Sequence, residues 1–290
     1  MKTRNSLYAI FLCAALSLSG INAQAESKLT VNYLANEQSV VAVSEATRFL
    51  LLPVQDDAPE AKVGVISGNT RVGELANVRL ARERVDYYVP FSLEAFMGKD
   101  VKIDVLGMPQ GSLCWKELKL SDTFDMANRE KYRPLYHHTP AYGWMNDPNG
   151  MFYKDGVWHL YFQHNPYGST WGNLSWGHST STDLVHWQYE GDPVMPDAWG
   201  TVFSGSAVVD TDNTAGFGPG TIVAFYTSAK PTPWGDAQMQ SIAYSTDGGK
   251  TFTKYAGNPI LTSTERDFRD PKVFWYAPGK HWVMLLAVNL

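Results

Sequence analysis

Hydrophobic and polar positions fall into two textures along this chain. Before about residue 130, short apolar or alternating runs are separated by turn residues: "LTVNYLA", "FLLLPVQ", "AKVGVISG", "VDYYVPFSL", "VKIDVLG" and "LCWKELKL". Runs of this length and composition, bounded by turns, predict strands, and their number predicts a small β-sandwich over residues 26–130. The polar stretch "SDTFDMANREKYRP" predicts a linker. This first part carries no evident catalytic constellation.

From residue 131 onward the pattern repeats. A strongly apolar strand occurs three times, as "VWHLYFQHN", "TIVAFYTSA" and "HWVMLLAVN", and aligning Tyr161, Phe225 and Leu285 gives steps of 64 and 60 residues. A turn and strand follow the first two, starting at Ser181 and Ser245, again 64 apart. Ahead of each apolar strand lies another short strand, "DPNGMFY", "SGSAVVD" and "DPKVFWY", opening at Asp147, Ser204 and Asp270. A unit of about 60 residues holding several short strands is one blade of a β-propeller. The fold class expected is therefore all-β, a propeller over residues 131–290 behind the sandwich. In a propeller, equivalent positions of successive blades converge on one axial channel, so Asp147, Ser204 and Asp270 should face a common pocket. Closed propellers need roughly four blades or more. Residues 132–290 hold about two and a half units, so the pattern predicts a chain that stops inside its propeller.

The N-terminus changes the picture of where the protein works. Lys2 and Arg4 precede an apolar run from Leu7 to Leu18, and Asn22-Ala23-Gln24-Ala25 follows. This is the pattern of a secretory signal peptide spanning residues 1–25, with an apolar run too short for a bilayer anchor. Export to the periplasm or the outside is expected, with no membrane insertion after cleavage. Loss of Lys2 and Arg4 from 24 basic residues leaves 22 against 29 acidic ones, a net charge of −7. With no basic cluster, nucleic acid is a poor partner. Only Cys114 remains after cleavage, so no internal disulfide is possible. The His residues lack metal-ligand spacing, the His137-His138 pair reads as structural, and no cofactor or metal motif occurs.

Aromatic residues make up 13% of the chain, with 10 Trp and 15 Tyr, which suits both strands and flat apolar ligand faces. Two carboxylates flanking one site are what glycosidic cleavage requires: one attacks or assists water while the other protonates the leaving oxygen. Asn146, Gln163 and Ser204 are of the types that hold sugar hydroxyls. Trp144, Trp171, Trp176 and Phe203 are candidates for ring faces.

"WMNDPNG", "FQHNPYGSTWGNLSWGHSTSTDLVHW", "FSGSAV" and "FRDPKVFW" resemble the motifs of glycoside hydrolase family 32, the invertase, inulinase and levanase group. The resemblance runs from about Tyr132 to Leu290 in the family's order, leaving residues 26–130 as an accessory domain. It implies a five-bladed catalytic propeller and a retaining mechanism on β-fructofuranosides such as levan, inulin or sucrose. On that resemblance Asp147 corresponds to the nucleophile and Asp270 to the carboxylate that binds fructose hydroxyls and stabilises the transition state. Arg269 would keep Asp270 ionised by its opposite charge. Trp144 and Asn146 lie in the nucleophile's motif, and Gln163, Trp171, Phe203 and Ser204 match positions lining the fructose pocket. The family's general acid is a Glu in a Glu-Cys motif, expected about 60 residues past Asp270, beyond Leu290. These 290 residues alone are therefore expected to be inactive. Three other readings stay open: a sialidase-like propeller, because "STDGGKTF" fits an Asp-box turn; a sugar-binding protein without catalysis; and transfer of fructosyl to a sugar instead of water.

Overall fold

A computed structural model describes residues 28–127 and 131–289. The signal-peptide reading at residues 1–25 lies outside these. No helix among the described residues is long and apolar enough to cross a membrane.

The first unit consists of β1 (Leu29–Tyr33), β2 (Gln38–Val43), β3 (Phe49–Val54), β4 (Ala61–Ser67), β5 (Thr70–Val78), β6 (Tyr87–Ser92), β7 (Val101–Leu106) and β8 (Lys119–Ser121). One antiparallel sheet runs β1-β2-β7-β4-β5 and a second runs β6-β3-β8. Alternation does the local work: in β4, Ala61, Val63 and Val65 are buried while Lys62 is exposed. Val41, Leu50, Leu52, Val63 and Ile103 from both sheets, with Met108 just past β7, meet in one core. Each such side chain contributes about 1.5–3 kcal/mol by leaving water. "LCWKELKL" departs from the strand expectation in its first part, while its last two residues open β8. Its apolar Cys114 and Leu118 are four residues apart, and they form a helical turn, Cys114–Glu117, closed by Leu118 N–H on the Cys114 carbonyl at 3.0 Å. Cys114 is buried and free, and burial pushes its thiol up to about 12.

The repeated pattern builds successive antiparallel sheets in a propeller-like arrangement. The first sheet is a meander of β9 (Trp144–Lys154), β10 (Val157–Asn165), β11 (Ser175–Ser181) and β12 (Gln188–Val194). The second contains β13 (Thr201–Asp210), β14 (Thr221–Thr232), β15 (Gly235–Ser245) and β16 (Thr253–Lys254), with β17 (Leu261–Thr262) also pairing with β15. β18 (Arg266–Tyr276) and β19 (His281–Asn289) form a third sheet of two strands. The three expected apolar strands are β10, β14 and β19, and the strands ahead of them are β9, β13 and β18. The 64-residue spacing of the turns is structural too. Ser181 Oγ and Ser245 Oγ each bond the Asp two residues on, at 3.1 and 2.7 Å, and each of those Asp side chains caps N–H groups further along its turn. Asp247, in the Asp-box pattern, is thus a strand-connecting turn residue.

The leading strands pack on one another, β9 against β13 and β13 against β18. Hydrogen bonds stitch them. Asn149 Oδ1 on β9 accepts from Gly205 N–H on β13 at 3.2 Å. Ser206 Oγ on β13 donates to the Pro271 carbonyl at 2.8 Å and accepts from Val273 N–H at 2.9 Å. Between the first two sheets lies a second core of Tyr161, Trp176, Val194, Val202, Ala224 and Tyr226.

Candidate active site

Each leading strand carries a β-bulge at its opening. On β9, Asn146 and Asp147 together face Gln163 of β10, because the register steps from Met145↔His164 to Pro148↔Phe162. On β13, Phe203 and Ser204 face Thr227, between Val202↔Ser228 and Gly205↔Tyr226. On β18, Asp270 and Pro271 face Leu286, between Arg269↔Ala287 and Lys272↔Leu285. A bulge puts two residues against one, bends the strand and re-aims side chains. The bulged pairs thus include Asp147, Ser204 and Asp270, and β18 has a further bulge, with Asp267 and Phe268 against Val288.

The geometry joins them. Ser204 Oγ donates to Asp147 Oδ2 at 2.6 Å across the gap between two sheets, which fixes the rotation of that carboxylate. Asp270 lies within the field of Asp147, and it adopts a left-handed backbone with φ 58°. A non-glycine residue in that region stores strain, and such strain gathers at functional sites. The conformation is held by Thr227 Oγ1, which accepts from the Asp270 N–H at 3.1 Å.

Burial is the main cause that pushes the Asp270 carboxyl above its ordinary value. Arg269 opposes the rise, with Nε at 3.7 Å, and the charge of Asp147 adds to it. Arg269 is shared with a second carboxylate. Its Nη1 sits closer to Asp267, at 2.5 Å, and the net direction at Asp270 is upward. Both carboxylates reach water: Asp147 is exposed and the Asp270 side chain is 46% exposed.

The other expected residues divide between mouth and frame. Trp144 and Asn146 are half-buried, with the indole N–H donating to Asn146 Oδ1 at 3.1 Å. Trp171 is 56% exposed and meets Phe203 edge-on at 6.1 Å between ring centres. Gln163 is buried below the bulge. Its Nε2 donates to the Val202 carbonyl at 2.9 Å, and its Oε1 has no hydrogen-bond partner among the described residues. Trp176 is a correction: it is 0% exposed, packs in the second core and donates to the Phe203 carbonyl at 3.0 Å. Its ring is a pillar between sheets, because its place on β11 faces the core and not the mouth. His138 is bonded to Ser179 Oγ at 2.9 Å and pushed down to about 4, chiefly by burial.

Several framing residues escaped the sequence reading. Asn149 shares the face of Asp147 by strand periodicity, the one signal available for it. Gln240 Nε2 donates to the Phe268 carbonyl at 2.7 Å and steadies β18. His164, fully buried, has Nδ1 at 2.6 Å from Asp192 Oδ1 and Nε2 at 2.8 Å from the Tyr142 carbonyl. Burial works against its charge, but Asp192 and that carbonyl outweigh it and hold the pKa above the usual histidine value. The His164 ring pins residue 142 just ahead of the Asn-Asp-Pro motif. No motif announced it, since Asp192 is 28 residues away.

Comparison with known proteins settles the family. Residues 137–290, more than half of the chain, match the profile of the "Glycosyl hydrolases family 32 N-terminal domain". The chain belongs to glycosyl hydrolase family 32. Residues 35–136 match a second profile, a "Domain of unknown function (DUF4980)". Among family 32 relatives, the chain is 54% identical over 164 residues to a levanase of Bacillus subtilis, covering 55% of this chain and 24% of the levanase. It is 49% identical over 172 residues to Invertase 1 of Saccharomyces cerevisiae, covering 56% of this chain and 32% of the invertase. A solved fructofuranosidase of Schwanniomyces occidentalis in complex with fructose is 48% identical, with a TM-score of 0.51 over 57% of this chain and 33% of that one. The chain thus spans about a quarter to a third of the length of the relatives it matches.

Proposed function

We propose that the whole protein is a retaining β-fructofuranosidase acting on sucrose, inulin or levan. The observation that carries this reading is that Ser204 bonds Asp147 and that the charge of Asp147 acts on Asp270, all three on bulged pairs of successive leading strands. On it, Asp147 attacks the anomeric carbon of a terminal fructosyl unit and forms a covalent ester, which water then hydrolyses. Ser204 orients the attacking oxygen pair. Asp270 accepts hydrogen bonds from fructose hydroxyls, and its charge stabilises the oxocarbenium-like transition state. Arg269 tempers the rise at Asp270. Trp144, Asn146, Gln163, Trp171 and Phe203 form the walls and floor of the fructose site, where the orphaned Gln163 Oε1 offers an acceptor for a hydroxyl. The family's Glu-Cys acid protonates the leaving oxygen; we assign that role to no residue described above.

The finer architecture belongs to the same reading: a five-bladed propeller from residue 131, a small β-sandwich over residues 26–130, and a signal peptide at 1–25 that exports the protein. Relatives named "Extracellular exo-inulinase" are consistent with export.

Assay of the full-length protein and its Asp147→Asn variant on levan, inulin and sucrose tests this. Fructose or fructo-oligosaccharide release by the parent, reduced about 10³-fold or more in the variant, is expected. Equal release by both would remove Asp147 from the chemistry.

A further inference from the structure

The loop of residues 166–174, between β10 and β11, carries Trp171 to the mouth. Little of the propeller holds that ring: it is 56% exposed, and among the described residues its one ring contact is the edge of Phe203. From beneath, Asn165 secures the loop. Its Nδ2 donates to the Thr170 carbonyl at 2.8 Å, and its Oδ1 accepts from Tyr167 N–H at 3.0 Å.

The other fastenings come from the first unit. Asn173 adopts a left-handed backbone, φ 44°, and its amide clasps the backbone of Asn77 on β5. Asn77 N–H donates to Asn173 Oδ1 at 2.8 Å, and Asn173 Nδ2 donates to the Asn77 carbonyl at 2.8 Å. The same Nδ2 also reaches Asn165 Oδ1 at 3.0 Å. Ser169 Oγ donates to Asp56 Oδ1 at 2.7 Å, on a carboxylate further held by the Tyr87 hydroxyl at 2.6 Å. Tyr167 packs on Phe91 with 5.6 Å between ring centres. Positions 167, 169 and 173 are therefore all tied to the first unit, on both sides of Trp171.

We infer that the first unit is a positioning element for the substrate mouth: through Asn77 and Asp56 it holds the 166–174 loop so that Trp171 faces the sugar. Asn173 and Ser169 are positioning residues that act through Trp171. The inference rests on the fructosidase reading, and specifically on Trp171 forming a wall of the sugar site.

A double-mutant cycle in the full-length protein tests it. Asn173→Gly keeps the left-handed backbone accessible while removing the clasp, and Ser169→Ala removes the second tie. Together they remove four hydrogen bonds, three of Asn173 and one of Ser169, and should raise KM for a fructoside by about tenfold or more, with kcat changed less than about twofold. Ser169→Ala alone, the milder change, should show the same direction if the pair folds poorly. In a Trp171→Ala background, itself raised in KM, the same changes should add nothing further, because the ties act through that ring. Unchanged KM, or an equal increase in both backgrounds, overturns the inference while leaving the fructosidase reading intact. Absence of fructoside turnover by the parent protein overturns that reading and the inference with it.

Discussion

Asp147 and Asp270 open equivalent strands ahead of a proline, yet their surroundings differ. Ser204 donates to Asp147, whereas burial and the neighbouring carboxylate drive Asp270 upward. A carboxyl whose folded pKa is raised binds its proton more tightly folded than unfolded. It therefore costs stability as pH rises above the ordinary carboxylate value towards the folded one. Asp270→Asn should unfold at a higher temperature than the parent at neutral pH, and the gain should vanish near pH 3. A gain independent of pH would show that charge is not its cause. His164 has the opposite sign. Its folded pKa is raised, so its ion pair with Asp192 stabilises fully below about pH 6.5 and is lost as pH rises through the folded value. The deficit of His164→Gln in melting temperature should accordingly shrink in alkaline buffer; a deficit constant with pH would mean that packing alone is lost. The two carboxylates were legible because each precedes Pro at the opening of a repeated strand. Trp176 was not, because an aromatic side chain in a motif looks the same whether it faces a channel or a core.

At the level of elements, bulges interrupt the leading strands at the candidate residues. They demand close backbone approach, and Gly205 shows how close. A Cβ there would lie 1.9 Å from the Phe225 carbonyl oxygen of β14, one residue past the Phe203-Ser204 bulge. Gly205→Ala should destabilise the protein by about 3 kcal/mol through overpacking, measured by urea unfolding. A change below about 0.5 kcal/mol, the range of a neutral surface substitution, would contradict the register described here. Apolar runs made β10, β14 and β19 readable, and their spacing made the repeat readable. β11 and β15 were harder to see, since "SWGHSTS" and "GDAQMQSIAYS" bury small and polar residues through hydrogen bonds. β5 was missed for another reason: its first half is exposed and its sequence, "TRVGELANV", is polar at alternate and adjacent positions. The bulges themselves leave no sequence trace beyond the Asn, Asp, Pro and Gly that tolerate them.

For the whole molecule, two all-β units meet beside the mouth, and the loop bearing Trp171 is fastened to both. That juxtaposition was invisible in the sequence, since Asn77 and Asn173 are 96 residues apart and Asn77 offers the Asn173 side-chain amide only backbone groups that any residue carries. The central claim, that Asp147 forms a covalent bond to fructose, is most directly tested by rapid acid quench of the full-length protein during turnover, followed by peptide mass spectrometry. The account predicts one fructosyl group on the peptide containing Asp147, absent in Asp147→Asn. A fructosyl group on another peptide, or release of product with inverted anomeric configuration and no adduct, would contradict it.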